Sequence, residues 1–325
     1  MPLSIQKLAN RLTFRQLQVF KAVYDLKSYS KAGDLLGLTQ PAVSSQVRHL
    51  EQALNMPMFE YIGRKLYCTA AGEEMAACVR SVFGELADMQ NRLAALEGRV
   101  AGDLRLVAVS TAQYVVPYLL GSFLQLNPQV NISVAVVNRA TALERLNQNN
   151  DDLVIMGMVP QDRPLTSLPF LDNELIPIVP AGHPLLDQKS VSAETFLNSN
   201  LLTREPGSGS RLALEVYCQQ HHLKIAPAME LGSNDAVKHA VLAGLGVAVV
   251  PKLSVLSELA LGTLTALDIT DFPLRRSWCL VYPQARYPTP VMKAFIDYVQ
   301  QNIAQFERLF RRPRTAGEKR TWMCS

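Results

Sequence analysis

The stretch Ser30–Glu51, SKAGDLLGLTQPAVSSQVRHLE, decides the fold of the amino-terminal part of the chain. Lys31, Ala32, Leu35 and Leu36 keep helical spacing, and Gly37 stands where a left-handed C-cap would end that helix. Leu38 fills the turn, Thr39 occupies an N-cap position, and Pro41 sits at a helical start that needs no N–H donor. Val43, Val47 and Leu50 then share one face of a second helix, which leaves Gln40, Ser44, Ser45, Gln46, Arg48 and His49 on the other. Small hydroxyls and amides on an exposed face suit base edges in a major groove, because they donate and accept without bulk. The pattern is a helix-turn-helix with the second helix as the reading helix. Taken alone, the spacing also fits two amphipathic helices whose polar face meets water.

On either side the pattern is consistent with that reading. Leu12, Leu17, Phe20, Ala22, Val23 and Tyr24 trace a helix under the pair, with Thr13 as its N-cap. After a turn from Leu54 to Phe59, the segment Tyr61–Thr69, YIGRKLYCT, has the form of a β-hairpin. Gly63 permits its turn, and Arg64 and Lys65 sit at the tip. Beside a reading helix such a tip is a wing that reaches phosphates or the minor groove; standing alone it is a solvated hairpin. A long helix is predicted from Ala70 to Gly98. Its Met75, Val79, Val82, Leu86, Met89, Leu93 and Leu96 alternate steps of four and three, which is a coiled-coil seam. A small domain cannot bury that seam by itself, so pairing with a second copy is expected. The boundaries are then a DNA-binding domain over 1–69 and a dimerisation helix over 70–98.

Bulk properties set limits. With 325 residues the chain has room for two or three domains, and 48% hydrophobic against 18% charged residues is the balance of a folded protein. The net charge of +4 is mild. Its location says more: Arg11, Arg15, Lys21, Lys27, Lys31, Arg48, Arg64 and Lys65 fall in the first seventy residues, which favours phosphate contact. The five cysteines, Cys68, Cys78, Cys218, Cys279 and Cys324, are scattered singly without metal spacing, so no metal site is expected. The opening MPLSIQKLANR lacks an apolar signal core, and no apolar run reaches membrane-spanning length. A cytoplasmic location with no membrane role is the expectation.

Beyond a hinge at Gly98–Gly102 strands and helices alternate, an α/β array with mostly parallel strands in two subdomains (103–172 with 268–310, and 173–267). The predicted strands are Leu104–Val109, Val130–Val137, Leu153–Met156, Leu175–Val179, Asn200–Thr203, Ala228–Leu231, Val247–Val250, Leu264–Leu267 and Trp278–Tyr282. A single closing helix is predicted over Thr289–Phe310, then a disordered basic tail over 311–325. In such sheets ligands sit beyond the carboxyl ends of strands, near helix N-termini that favour anions. Ser110-Thr111, Thr203-Arg204 and Ser233-Asn234 stand at three such ends. Singly these hydroxyls fit N-caps; together they point to a pocket for a carboxylate or phosphate. Glu205–Arg211, EPGSGSR, opens a helix but lacks P-loop spacing. No catalytic constellation is present: there is no GxSxG, no HExxH, and no base partner for Ser208 or Ser210.

These motifs, in this order, resemble the LysR-type transcriptional regulators over essentially all of Leu12–Phe310. The residues that carry the resemblance are Thr39–Ser44, Leu50-Glu51, Leu54, Phe59-Glu60, Thr69–Gly72, Val179-Pro180, His183–Leu185, Arg204–Arg211, Gly244–Val247 and Pro251. The resemblance implies a winged helix-turn-helix, a linker-helix dimer and a periplasmic-binding-protein-like effector domain at 99–310. It also implies a homotetramer on dyad-symmetric promoter DNA that acts on RNA polymerase. By position Gln40, Pro41, Ser44 and Ser45 would meet DNA, with Gln46 and Arg48 on the same face and Arg64 and Lys65 on the wing. Ser45 and Tyr61 stand where the family often has arginine, and Cys68 where it usually has leucine. The effector cleft would be lined by Ser110, Thr111, Thr203 and Asn234, with Gln113, Arg204 and Val249 nearby.

Within the family, Phe59–Tyr67, Asn138-Arg139, Asp151–Gly157 and Gly232–Lys238 resemble the regulators of carbon-fixation (RuBisCO, Calvin cycle) operons. That branch implies a phosphorylated metabolite or NADPH as effector and no resident cofactor. The alternative is a regulator of another metabolic operon with a non-phosphorylated carboxylate effector. A solute-binding protein would need a signal peptide and no helix-turn-helix, and an enzyme on the α/β domain would need a nucleophile–base pair that the sequence does not show.

Overall fold

A computed structural model describes Gln6 and residues 11–96 and 100–311. Gly98 and Arg99 of the expected hinge, and the basic tail after Arg311, lie outside the described residues. The chain divides into two compact units, Met1–Gln90 and Asn91–Ser325.

The first unit begins with α1 (Phe14–Leu26), opened by a reciprocal cap: the Gln16 N–H donates to Thr13 Oγ1 at 3.2 Å, and the Thr13 N–H donates to Gln16 Oε1 at 2.9 Å. The helices α2 (Tyr29–Leu36) and α3 (Gln40–Leu54) follow, capped by Ser28 and Thr39. Val43, Val47 and Leu50 are buried with Phe20, Val23 and Ala32, as the periodicity predicts, whereas Leu35 is exposed. Gly33 holds the turn together. Its carbonyl accepts from the Leu38 N–H at 2.9 Å, and an added Cβ would stand 2.6 Å from the Leu38 carbonyl oxygen. Any side chain there would push α2 and α3 apart.

The Glu51 carboxylate ties the end of α3 to the wing, accepting from the Met58 N–H at 2.8 Å and the Phe59 N–H at 3.4 Å. The wing is β1 (Phe59–Ile62) paired antiparallel with β2 (Lys65–Cys68) around Gly63 and Arg64. Thr69 then starts α4 (Ala70–Leu96), accepting from the Gly72 N–H at 3.1 Å and donating to the Pro57 carbonyl at 2.7 Å. A Cβ on Gly72 would collide with the Met58 carbonyl and the Cys68 sulfur. Burial pushes the Cys68 thiol up to about 11, so this cysteine is a packing group held against Gly72. Along α4 the seam divides. Met75 and Val79 are buried in the small core, while Leu86, Met89 and Leu93 are 37%, 45% and 55% exposed. The side chain of Leu96 lies outside the described residues.

The second unit is built on one mixed sheet of nine strands. Its first half holds β3 (Gly102–Val109), β4 (Val130–Val137) and β5 (Leu153–Met156), joined through α5 (Val116–Leu126) and α6 (Arg139–Asn147). The second half holds β7 (Leu201–Arg204), β8 (Met229–Leu231) and β9 (Val247–Pro251). The helices α7 (Ala193–Leu197), α8 (Gly209–Gln220), α9 (Asn234–Leu242) and α10 (Leu256–Leu261) accompany them, with the short β10 (Leu264–Ala266). Two long strands, β6 (Leu165–Pro180) and β11 (Leu274–Pro283), cross between the halves in antiparallel register.

The sheet is therefore less parallel than the alternating pattern predicts. β3 pairs parallel with β4 and β5, and β7 with β8 and β9, but β6 and β11 run antiparallel to their neighbours. Of β6 only Leu175–Val179 is predicted, because Pro169 and the polar run Asp172–Glu174 hide the first half. Pro169 offers no N–H to the ladder, and the register shifts beside its partner Cys279, between Trp278 and Cys279. The return boundary also moves. Ile269 and Leu274 belong to the core of the second half, and Trp278 to that of the first, so the crossing lies after Leu274 rather than at 268. The closing helix is two helices, α11 (Pro290–Gln301) and α12 (Ile303–Arg311), broken where the Asn302 amide donates to the Tyr298 carbonyl at 2.8 Å.

Asp151 and Asp152, at the amino end of β5, lock the first half from the side opposite the strand carboxyl ends. Asp152 accepts from the Arg105 backbone and guanidinium and from Arg286, and Asp151 from Arg145. Burial alone would raise the Asp152 pKa, but the Arg105 hydrogen bonds and the charges of Arg105 and Arg286 outweigh it and hold the carboxyl below the ordinary carboxylate range.

Candidate functional site

In the first unit the candidate side chains are presented on α3 and the wing. Val43, Val47 and Leu50 anchor one face of α3, so helical geometry turns Gln40, Pro41, Ser45, Arg48 and His49 outward, with Ser44 and Gln46 half-buried at the margins. Arg64 and Lys65 are exposed on the wing. Among the described residues, no hydrogen bond or ion pair within the protein engages the side chains of Gln40, Ser44, Ser45, Gln46, Arg48, Arg64 or Lys65. Their donors and acceptors are free for another molecule.

The wing also stands beside the start of α2. Lys27, Ser28, Ser30, Gln40, Tyr61 and Arg64 line one groove there. Sequence reasoning places Gln40 and Arg64 in this face, but it misses Ser28 and Ser30, which the helix pattern shows only as a cap and a first-turn residue. Lys27 is held with its ammonium 3.9 Å from the centre of the Tyr24 ring. Burial, with Glu51 and Tyr61 nearby, pushes the Tyr29 phenol up to about 12, so it remains a neutral hydroxyl.

In the second unit the carboxyl ends of the strands of both halves meet, and their polar groups bond across. Arg204 is 4% exposed; its guanidinium donates twice to Glu205, at 2.7 and 2.8 Å, and once to Ser110 Oγ at 3.1 Å. Asn138 donates to Glu205 at 3.4 Å, Tyr114 to Asp235 at 3.3 Å, and the Ala140 N–H to the Gly207 carbonyl at 3.1 Å. Thr111 is buried, its hydroxyl accepting from the Trp278 indole at 3.3 Å. Thr203 accepts from Arg211 at 2.6 Å. Gln113 lies in the 3₁₀ turn Ala112–Tyr114, half-buried. Val249 packs in an apolar core with Leu175 and Val247.

Asn234 differs from all of these. It is 1% exposed at the first position of α9, and both polar atoms of its amide are buried without a partner among the described residues. Such a group costs about 1–3 kcal/mol unless something satisfies it. Two further residues, absent from the expected set, face the same end of the sheet: Arg139 at the start of α6 and Arg276 on β11. Arg139 follows a strand end and is findable by the rule that places Ser110. Arg276 reaches the site only because β11 runs antiparallel along β6, opposite Asn173.

Comparison with known proteins agrees with both halves of this description. Residues 14–73 match the bacterial regulatory helix-turn-helix proteins of the lysR family, and residues 97–304 match the LysR substrate binding domain. The chain belongs to the LysR family of transcriptional regulators. Among its relatives, the RuBisCO operon transcriptional regulator of Acidithiobacillus ferrooxidans is 39% identical over 88% of this chain and 93% of that protein. The HTH-type transcriptional activator CmpR of a Synechocystis strain is 38% identical over 88% of this chain and 94% of its own. Among solved structures, the regulatory domain of Synechocystis PCC6803 CcmR in complex with 2-PG is 35% identical. It covers 61% of this chain and 96% of that one, with a TM-score of 0.58.

As a LysR protein the chain is a DNA-binding regulator and not an enzyme, with its winged helix-turn-helix ahead of an α/β effector domain of two subdomains. Among the described residues no helix is long and apolar enough to cross a membrane.

Proposed function

We propose that this LysR protein regulates carbon-fixation genes, those of RuBisCO and the Calvin cycle, in response to a small anionic metabolite bound between the two halves of its effector unit. One observation carries the reading. In a chain most of whose length matches RuBisCO-operon regulators, the strand ends of the effector unit converge on buried donors, including the unpartnered amide of Asn234. The effector is a phosphorylated metabolite or NADPH, a class supported by the 2-PG complex of the CcmR regulatory domain.

The half-exposed seam of α4, with Leu86, Met89 and Leu93, pairs with a second copy, and two such dimers form a homotetramer on a dyad-symmetric promoter site. The protein works in the cytoplasm, where effector binding changes DNA bending and RNA polymerase access. A ligand does this only if it binds two arrangements of the tetramer unequally.

The test is fluorescence anisotropy on the chain's own upstream DNA and on carbon-fixation promoters. It is run across a salt series with and without 2-phosphoglycolate, ribulose bisphosphate, phosphoenolpyruvate and NADPH. Site-specific binding shifted by one of these is the expected result. Specific binding that responds only to a non-phosphorylated carboxylate would replace the carbon-fixation reading with that of another metabolic operon. Absence of specific DNA binding would overturn the regulator reading itself.

A further inference from the structure

The groove between the wing and the start of α2 has about 320 Å³ of open space, and its charged lining is Lys27 and Arg64. No carboxylate lines it. Glu51, whose charge is felt at Tyr29 in the groove, is turned instead to the Met58 and Phe59 N–H groups. Among the described residues, neither Lys27 nor Arg64 has an ion-pair partner, and Lys27 faces the Tyr24 ring rather than an acid. Cations without counter-charge and hydroxyls on one wall suit a singly charged phosphodiester.

Tyr29 is the side chain of this groove that stands apart. Its ring packs edge-on against Phe59 with centroids 6.2 Å apart, and Phe59 lies 5.3 Å from Phe20, so the ring is held by the small core. Its hydroxyl has no hydrogen-bond partner among the described residues. Burial is the main cause of its raised pKa, with Glu51 and Tyr61 adding to it and Arg48 opposing. Those neighbours set the phenol between the wing and the reading helix, and it stays a donor throughout the physiological range. For packing alone a phenylalanine would serve as well. The oxygen contributes only through what enters the groove.

We propose that this groove seats one phosphate of the DNA backbone, that the Tyr29 hydroxyl donates to it, and that Ser30 and Arg64 are its other donors. Gln40 lines the same groove, so a phosphate held there fixes where Gln40 meets the bases. Tyr29 is thus a positioning residue: phosphate contacts set register, and base contacts specify sequence. A phenol anchored by its ring loses little rotational freedom on binding, which suits it to set register. The inference rests on the DNA-binding role of the first unit and is independent of the effector.

The experiment is fluorescence anisotropy of the full-length protein on its own upstream DNA across a salt series. The duplexes carry a single uncharged methylphosphonate linkage, moved one position at a time through each half-site. Wild type, Tyr29→Phe, Ser30→Ala and Arg64→Gln are compared, with Tyr287→Phe, which alters a phenol of the effector unit whose residue is 92% exposed, as the control. Tyr29→Phe should weaken specific binding on the order of 3- to 10-fold without changing the salt slope, because it removes a hydrogen bond and no charge. Arg64→Gln should lower the slope by about 1. At one linkage in each half-site, the methylphosphonate should cost Tyr29→Phe less than it costs wild type, by about the factor that the variant itself loses. Thermal stability of Tyr29→Phe should equal or exceed that of wild type, and Tyr287→Phe should bind as wild type. Wild-type affinity in Tyr29→Phe would overturn the proposal. So would a loss of affinity with every methylphosphonate penalty unchanged, which would assign the hydroxyl to a base, or a fall in stability, which would make it structural. These outcomes leave the DNA-binding role intact, whereas a wild type without specific DNA binding would remove both.

Discussion

The polar side chains of the reading helix and those of the effector cleft are drawn from the same few residue types, yet they stand in opposite states. The side chains of Gln40, Ser45 and Arg48 are exposed and, among the described residues, make no hydrogen bond within the protein. Ser110, Thr111, Thr203 and Arg204 are spoken for by Arg204, Trp278, Arg211 and Glu205, and of that set only Asn234 is buried without a partner. The difference teaches how each site is prepared. A helix anchored by three apolar residues presents its outer face rigidly, so free polar groups cost nothing while water covers them. A buried cleft cannot leave many groups unpaired, so its donors hold one another until a ligand competes.

The largest effect expected from testing this contrast lies in the scaffold of the cleft. Asp152→Asn removes the buried negative charge shared by Arg105 and Arg286 and should destabilise the effector unit by about 2–3 kcal/mol, since two half-buried guanidiniums lose the carboxylate between them. Hydrogen exchange should show the loss in residues 102–156 and 274–300 and leave protection in α1–α3 unchanged. The Asp152 pKa is depressed in the folded state, so its contribution is complete above the ordinary value of about 3.9 and is lost as pH falls through the depressed value. Acid unfolding of the variant should lack that component. Equal loss of protection in both units would break the contrast.

A smaller effect separates two kinds of contact on the DNA side. Gln40→Ala should cost about 1–3 kcal/mol on the specific site and little on random DNA. Arg64→Ala should weaken binding to both and reduce the slope of log affinity against log salt by about 1. Anisotropy titrations at several salt concentrations measure both. If the two variants behaved alike, the wing and the helix would not divide positioning from reading.

The smallest effect is the most diagnostic of the cleft. Asn234→Ala deletes two buried, unpartnered polar atoms, so thermal stability should stay the same or rise by up to about 1 kcal/mol. The response of DNA binding to 2-phosphoglycolate should fall at the same time. A stability loss would mean that the amide is satisfied within the protein and serves packing.

The local features of the molecule were legible in the chain. The caps at Thr13, Thr39 and Ser233, the buried stripe of Val43, Val47 and Leu50, the wing around Gly63 and the seam of α4 depend on residues a few positions apart, whose geometry follows from helix and hairpin periodicity. Strand carboxyl ends were legible too, which placed Ser110, Thr203 and Asn234 correctly at one end of the sheet. Tertiary structure alone decided what those residues face. Pro169 and the run Asp172–Glu174 conceal half of β6, and without that strand nothing in the sequence carries Arg276 to the pocket opposite Asn173. Nor does the chain order say that Glu205 neutralises Arg204 while Arg139, among the described residues, has no carboxylate within ion-pair distance. Ion pairing depends on distances across the fold, and periodicity along the chain does not encode them.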